Sequence, residues 1–154
     1  MLDQVQQYFI PWSFGIICSL SILLLCIRKP FYGRRLLAYL FFMGTVANIY
    51  LAWIYPRDYL VFGQFTWLDS YRHFIYMILF RQAMWMGGIL VVLHAYLGYV
   101  YWQKGPLPKV AIFLSIFFLL LLTPLGFGSA FPASLLLLIG VIYLSRDSAN
   151  MTEA

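Results

Sequence analysis

The chain has little with which to do acid–base or metal chemistry: five carboxylates, two histidines and two cysteines among 154 residues. Asp3, Asp58, Asp69, Asp147 and Glu153 all fall outside the long apolar runs. That placement argues against a proton- or cation-coupled carrier, which usually holds an acid at membrane depth. There is no nucleophile elbow, no glycine-rich phosphate loop and no H-E-x-x-H, so nothing in the sequence signals hydrolytic catalysis, and no catalytic residue is assigned. Cys18 and Cys26 share one apolar run and lack C-x-x-C spacing. Neither a disulfide nor a redox pair is expected of them, and they read as small packing residues. Asp69 and His73 at i, i+4, with Asp58 nearby, fall short of a zinc site, which takes three or four protein ligands. They read as a capping aspartate and an incidental histidine, and no metal is expected.

Apolar surface is what the chain has in excess. Hydrophobic residues make up 64% and charged residues 10%, against roughly 45–50% and about 25% in a soluble domain; the mean hydropathy is +0.86. This is the composition of an integral membrane protein. The runs are continuous rather than alternating, which makes them helices and not the strands of a barrel. The expected fold is an all-α bundle forming a single transmembrane domain over 1–154, with five spans at about 8–27, 35–55, 80–102, 110–125 and 131–144. The last two are short and flank Gly126 to Ala130, with Pro124 and Pro132 on either side, so they read as a tight hairpin. One broken helix, giving four spans, is the alternative.

Cations set the orientation. Arg28, Lys29, Arg34, Arg35, Lys104, Lys109 and Arg146 share one side of a five-span arrangement, and only Arg57 and Arg72 fall clearly on the other. The positive-inside rule then puts the N-terminus outside and the C-terminus in the cytoplasm, in what we expect to be a bacterial cytoplasmic (inner) membrane. Cations follow the first run and none precedes it, the reverse of a cleavable signal peptide, so it reads as a permanent helix. The net charge of +5 reflects this asymmetry and gives no reason to expect nucleic acid as a partner. The Arg28 to Arg35 cluster suits anionic lipid headgroups. Between residues 56 and 70 the stretch "PRDYLVFGQFTWLD" reads as an outer loop or short interfacial helix laying Tyr59, Phe62, Phe65 and Trp67 at headgroup depth. The tail from Asp147 to Ala154 is polar and expected to be disordered.

Nothing strongly breaks a helix from Ser70 to Trp102, which predicts a rod of about 50 Å with Asp69 as its N-cap, pairing with Arg72 and His73. Part of that rod must protrude from the membrane. Arg81 then falls near the outer boundary, where it snorkels or, on the other reading, lines a polar cavity. His94 lies about 12 Å from the inner end of the span, too deep to snorkel. It shares a helical face with Gly87 and Gly98, which predicts that it points at a neighbouring helix. Span two offers Gly44, Asn48 and Ala52 at four-residue steps, and span one offers Gly15 and Ser19; Asn48 adds an interhelical hydrogen bond. Spans one to three should form the core. The leucine-rich spans four and five should face lipid or a partner.

Two functional readings follow. One is a non-catalytic accessory or structural subunit of an inner-membrane complex, joined to other integral membrane subunits or to copies of itself through helix contacts and the aromatic loop. The other is a small binding protein or carrier for a lipophilic ligand, with His94, Arg81, Asn48 and Tyr96 lining the pocket. No cofactor is predicted. Haem needs a second axial histidine, and His73 would lie about 30 Å along the same helix, so a haem site would take a second copy or a partner; a quinone is the other group this pocket would suit. Arg81 with the glycine pair Gly87 and Gly88 resembles the pattern of DoxX-like small membrane proteins; the resemblance covers one span and implies no residue role.

Overall fold

A computed structural model describes the backbone of residues 2–126 and 130–150, and the side chains of 9–126 and 130–146. Every regular element in it is helical. The first helix, α1 (Leu2–Arg28), is followed after the single non-helical residue Lys29 by α2 (Pro30–Ile49), which tightly continues as a π-helical turn over Tyr50–Ile54. Proline is favoured at the first position of a helix, which explains why α2 begins at Pro30, ahead of the expected Arg35. The corner is close: a β-carbon at Gly33 would come within 2.6 Å of the Cys26 backbone. After a 3-10 turn at Pro56–Asp58 come two short helices, α3 (Tyr59–Phe65) and α4 (Asp69–Phe74). Then follow α5 (Ala83–Trp102), α6 (Lys109–Leu122) and α7 (Ala133–Asn150).

Side-chain contacts give the direction of each neighbour. Residue 34 meets 101, 44 meets 94 and 52 meets 87, so α2 and α5 run antiparallel. Trp12 donates to the Phe131 carbonyl at 2.7 Å while Cys26 lies beside Gly140, so α1 and α7 run parallel. The start of α2 and the ends of α1, α5 and α7 therefore share one end of the bundle. The segments Phe9–Arg28, Pro30–Ile54 and Ala83–Trp102 are long and apolar enough to cross a membrane; Lys109–Leu125 and Ala133–Arg146 are apolar but shorter.

Four expectations need correction. The rod from Ser70 to Trp102 is broken: a π-helical turn at Ile75–Leu79 leads into a turn over 80–82, and Gln82 leaves helical geometry at φ −110°, ψ 25°. The extra residue of the π turn shifts the register without any proline or glycine to announce it. Asp69 is not the N-cap; Leu68 holds that position without a side-chain bond, and Asp69 opens the helix and pairs with Arg72 at 3.0 Å. The core is not confined to α1, α2 and α5, because α6 buries Ala111, Ser115, Phe118 and Leu119, and α7 buries Leu137, Val141 and Leu144. Small residues at four-residue spacing in α6, and Gly140 against Cys26 in α7, give those leucine-rich helices a packing face. Residues 147–150 are helical rather than disordered, and 151–154 lie outside the described residues, as do Phe127, Gly128 and Ser129 of the expected hairpin turn.

Candidate functional site

Of the buried polar residues, His94 lies where α2, α5 and α6 meet. His94 is 5% exposed. Its Nδ1 lies 2.7 Å from the Leu90 carbonyl one turn back, and because a carbonyl only accepts, Nδ1 carries the proton. The other edge of the ring faces α2: a β-carbon at Gly44 would sit 2.5 Å from Cδ2 and 2.9 Å from Nε2. Phe118 of α6 meets the ring edge-on at 4.5 Å, and Phe41 lies 6.0 Å away. The imidazole thus fills a space bounded by three helices, and glycine at 44 is what lets α2 approach it.

Below it the same seam continues. Asn48 donates to its own helix at the Gly44 carbonyl, 2.8 Å, and accepts from the Tyr59 hydroxyl, 3.2 Å. The predicted bond from Asn48 therefore reaches α3 rather than another long helix. Burial pushes the Tyr59 hydroxyl pKa up, which keeps it a donor. Tyr59 is 3% exposed and faces the bundle, a correction to its expected place among the headgroups; Trp67 does stand out, 49% exposed. Gly87 lets Ala52 and the Tyr59 hydroxyl approach, and Gly98 takes the Phe42 ring, with 2.8 Å to a β-carbon there. Ser19 is buried, but Gly15 meets nothing within 4 Å, so it makes no close approach.

The four side chains expected to line one ligand pocket are not together. His94 and Asn48 lie on either side of Gly44; Arg81 is exposed, beside the turn that precedes α5, and Tyr96 points away from His94 on the opposite face of α5. Among the described residues no three His, Cys, Asp or Glu side chains gather as metal ligands would.

Two arginines, Arg34 read in the sequence only for its charge and Arg72 also as the expected partner of Asp69, organise the ends. Arg34 of α2 forks across the C-terminal end of α5: Nε donates to the Tyr101 carbonyl at 3.1 Å, Nη2 to Val100 at 3.0 Å and Nη1 to Gly105. These are carbonyls that a helix end leaves unpaired. Gly105 turns its carbonyl toward Arg34 with φ +112°, a conformation other L residues rarely adopt. Beside it the Arg35 guanidinium stacks on Trp102 at 4.0 Å. At the far end Arg72 donates to the Thr66 carbonyl at 2.9 Å and Gly63 at 3.3 Å as well as to Asp69. Tyr71 and Thr66 tie that end to α6 through the Leu121 and Pro124 carbonyls. A cation at the start of one helix, level with the C-terminal carbonyls of an antiparallel neighbour, was the signal that would have found Arg34. Tyr101 also went unnoticed: its hydroxyl is buried without a hydrogen bond of ordinary geometry among the described residues, and the Ser115 hydroxyl of α6 is the side chain placed to pair with it.

No family model, curated protein or solved structure matches this chain.

Proposed function

We propose that this protein is a non-catalytic accessory subunit of an inner-membrane complex, crossing the bilayer five times with its C-terminus in the cytoplasm. The short helices α6 and α7 complete the five crossings as a hairpin, and the cations at the shared end of α1, α2 and α5 support the orientation. One observation carries the subunit reading. Along α5, Trp85, Ile89, Val92, Tyr96 and Tyr99 follow one another at steps of four, three, four and three, and all are exposed, Val92 by 70% and Trp85 by 76%. That is the spacing of a helix–helix seam. The opposite face of the same helix holds Gly87, His94, Gly98 and Tyr101 inside the chain. The Tyr96 hydroxyl is one a partner helix would satisfy better than hydrocarbon.

Gly87 and Gly98 pack against this chain's own α2, so bulky residues there would break the fold before they broke a complex. Val92→Trp is the informative change, because it adds bulk only on the open face. Gentle extraction followed by purification should retain a different integral membrane protein at fixed stoichiometry. That protein should be lost in Val92→Trp while the chain's own melting temperature holds. Retention of a second copy alone, or of no protein, overturns the reading. So does a Soret band that disappears in His94→Ala, since a haem carrier would then be in hand.

A further inference from the structure

We propose that the cleft between the start of α2 and the α5–α6 turn binds the phosphate-bearing headgroup of an anionic membrane lipid. This goes beyond the subunit reading and stands without it, needing only that the chain lie in a bilayer. The cleft has a volume of about 210 Å³ and gathers Arg34, Arg35 and Lys104 over a floor that includes Phe31, Leu107 and Leu144. Sites that enclose a whole drug-sized molecule run to roughly 300–1,000 Å³. This one suits a headgroup whose tails remain in the bilayer.

The cations are held ready. Arg34 is fixed by three backbone carbonyls, and each of its Nη atoms keeps one further N–H. The Arg35 guanidinium lies over the Trp102 ring, 4.0 Å from its centre, and 5.3 Å from the centre of the Phe31 ring. A cation–π contact takes up none of the guanidinium's hydrogen-bond donors, and neither Arg35 nor Lys104 makes a hydrogen bond or ion pair among the described residues. A phosphate matches that fork and neutralises it. The carboxylates with described side chains, Asp58 and Asp69, both belong to the opposite end of the bundle.

The test uses the full chain in a neutral detergent, titrated separately with phosphatidylglycerol, phosphatidylcholine and inorganic phosphate. Melting temperature and the lipid retained in native mass spectrometry are read together. Phosphatidylglycerol should raise the melting temperature and stay bound; phosphatidylcholine and inorganic phosphate should do neither. Arg35→Gln with Lys104→Gln should weaken retention about tenfold or more, whereas Arg28→Gln with Lys29→Gln, an equal loss of charge outside the cleft, should leave it within about twofold. Arg34 is kept because it holds the end of α5. Equal losses in the two double variants would mean a diffuse field and overturn the proposal. Equal binding of phosphatidylcholine, or a shift reproduced by phosphate alone, would also overturn it.

Discussion

At one end of the bundle Arg72 donates to the Gly63 and Thr66 carbonyls and has Asp69 as its counter-ion; at the other Arg34 donates to Val100, Tyr101 and Gly105 beside two further cations and no described carboxylate. The same device, a guanidinium across unpaired carbonyls, closes both ends. Only the first guanidinium has a carboxylate paired with it among the described residues. The difference teaches that fold stability and surface charge are separable here: the carbonyl bonds hold the chain together, while the cations at the α2 end, with no carboxylate beside them among the described side chains, are available to the surroundings. Between the two ends, the polar side chains of His94, Asn48 and Ser115 hydrogen-bond within the chain.

The comparison breaks first at Arg34. Arg34→Met should destabilise the chain by about 3 kcal/mol, because hydrogen bonds from a charged donor are worth more than neutral ones and three carbonyls lose their partner together. Arg34→Lys should rescue little, since an ammonium cannot fork across three acceptors. Thermal melting in detergent reads both. Arg72→Met should cost less, about 1.5 kcal/mol, and should show as faster proteolysis between α3 and α4 more than as a global loss. Tyr101→Phe should change stability by less than about 1 kcal/mol, because the buried hydroxyl it removes has only the Ser115 hydroxyl to pair with. Smallest of all is Asp69→Asn: the pair is 92% exposed on the aspartate side, and such pairs contribute about 0–1 kcal/mol. An Asp69→Asn effect as large as that of Arg34→Met would erase the distinction between the ends.

The helical class, the positions of the long apolar helices and the inward turn of His94 were legible because each rests on local chemistry: run length, and small residues spaced by whole turns. What was not legible depends on two or more distant segments meeting. The π-helical turn at Ile75–Leu79 follows α4, which Tyr71 ties to the end of α6, and its sequence resembles ordinary helix. The leucine runs of α6 and α7 concealed Ala111, Ser115 and Gly140, three small residues that matter more for packing than their many apolar neighbours. Gly15 shows the converse, since a small residue at the right spacing still needs a helix opposite it. Tyr59 was assigned to the membrane surface on its residue type, yet its hydroxyl found Asn48 inside.

The central claim is that the imidazole at position 94 is a packing element between helices, seated by the glycine at 44. A double-mutant cycle in thermal or denaturant unfolding tests it directly. Gly44→Ala should destabilise the chain by about 2 kcal/mol, the usual cost of forcing an extra carbon into a filled space. In a His94→Ala background the same substitution should instead stabilise by about 0.5–1 kcal/mol, the ordinary advantage of alanine over glycine in a helix. The same effect of Gly44→Ala in both backgrounds would mean that the two helices do not meet at this ring, and would contradict the account.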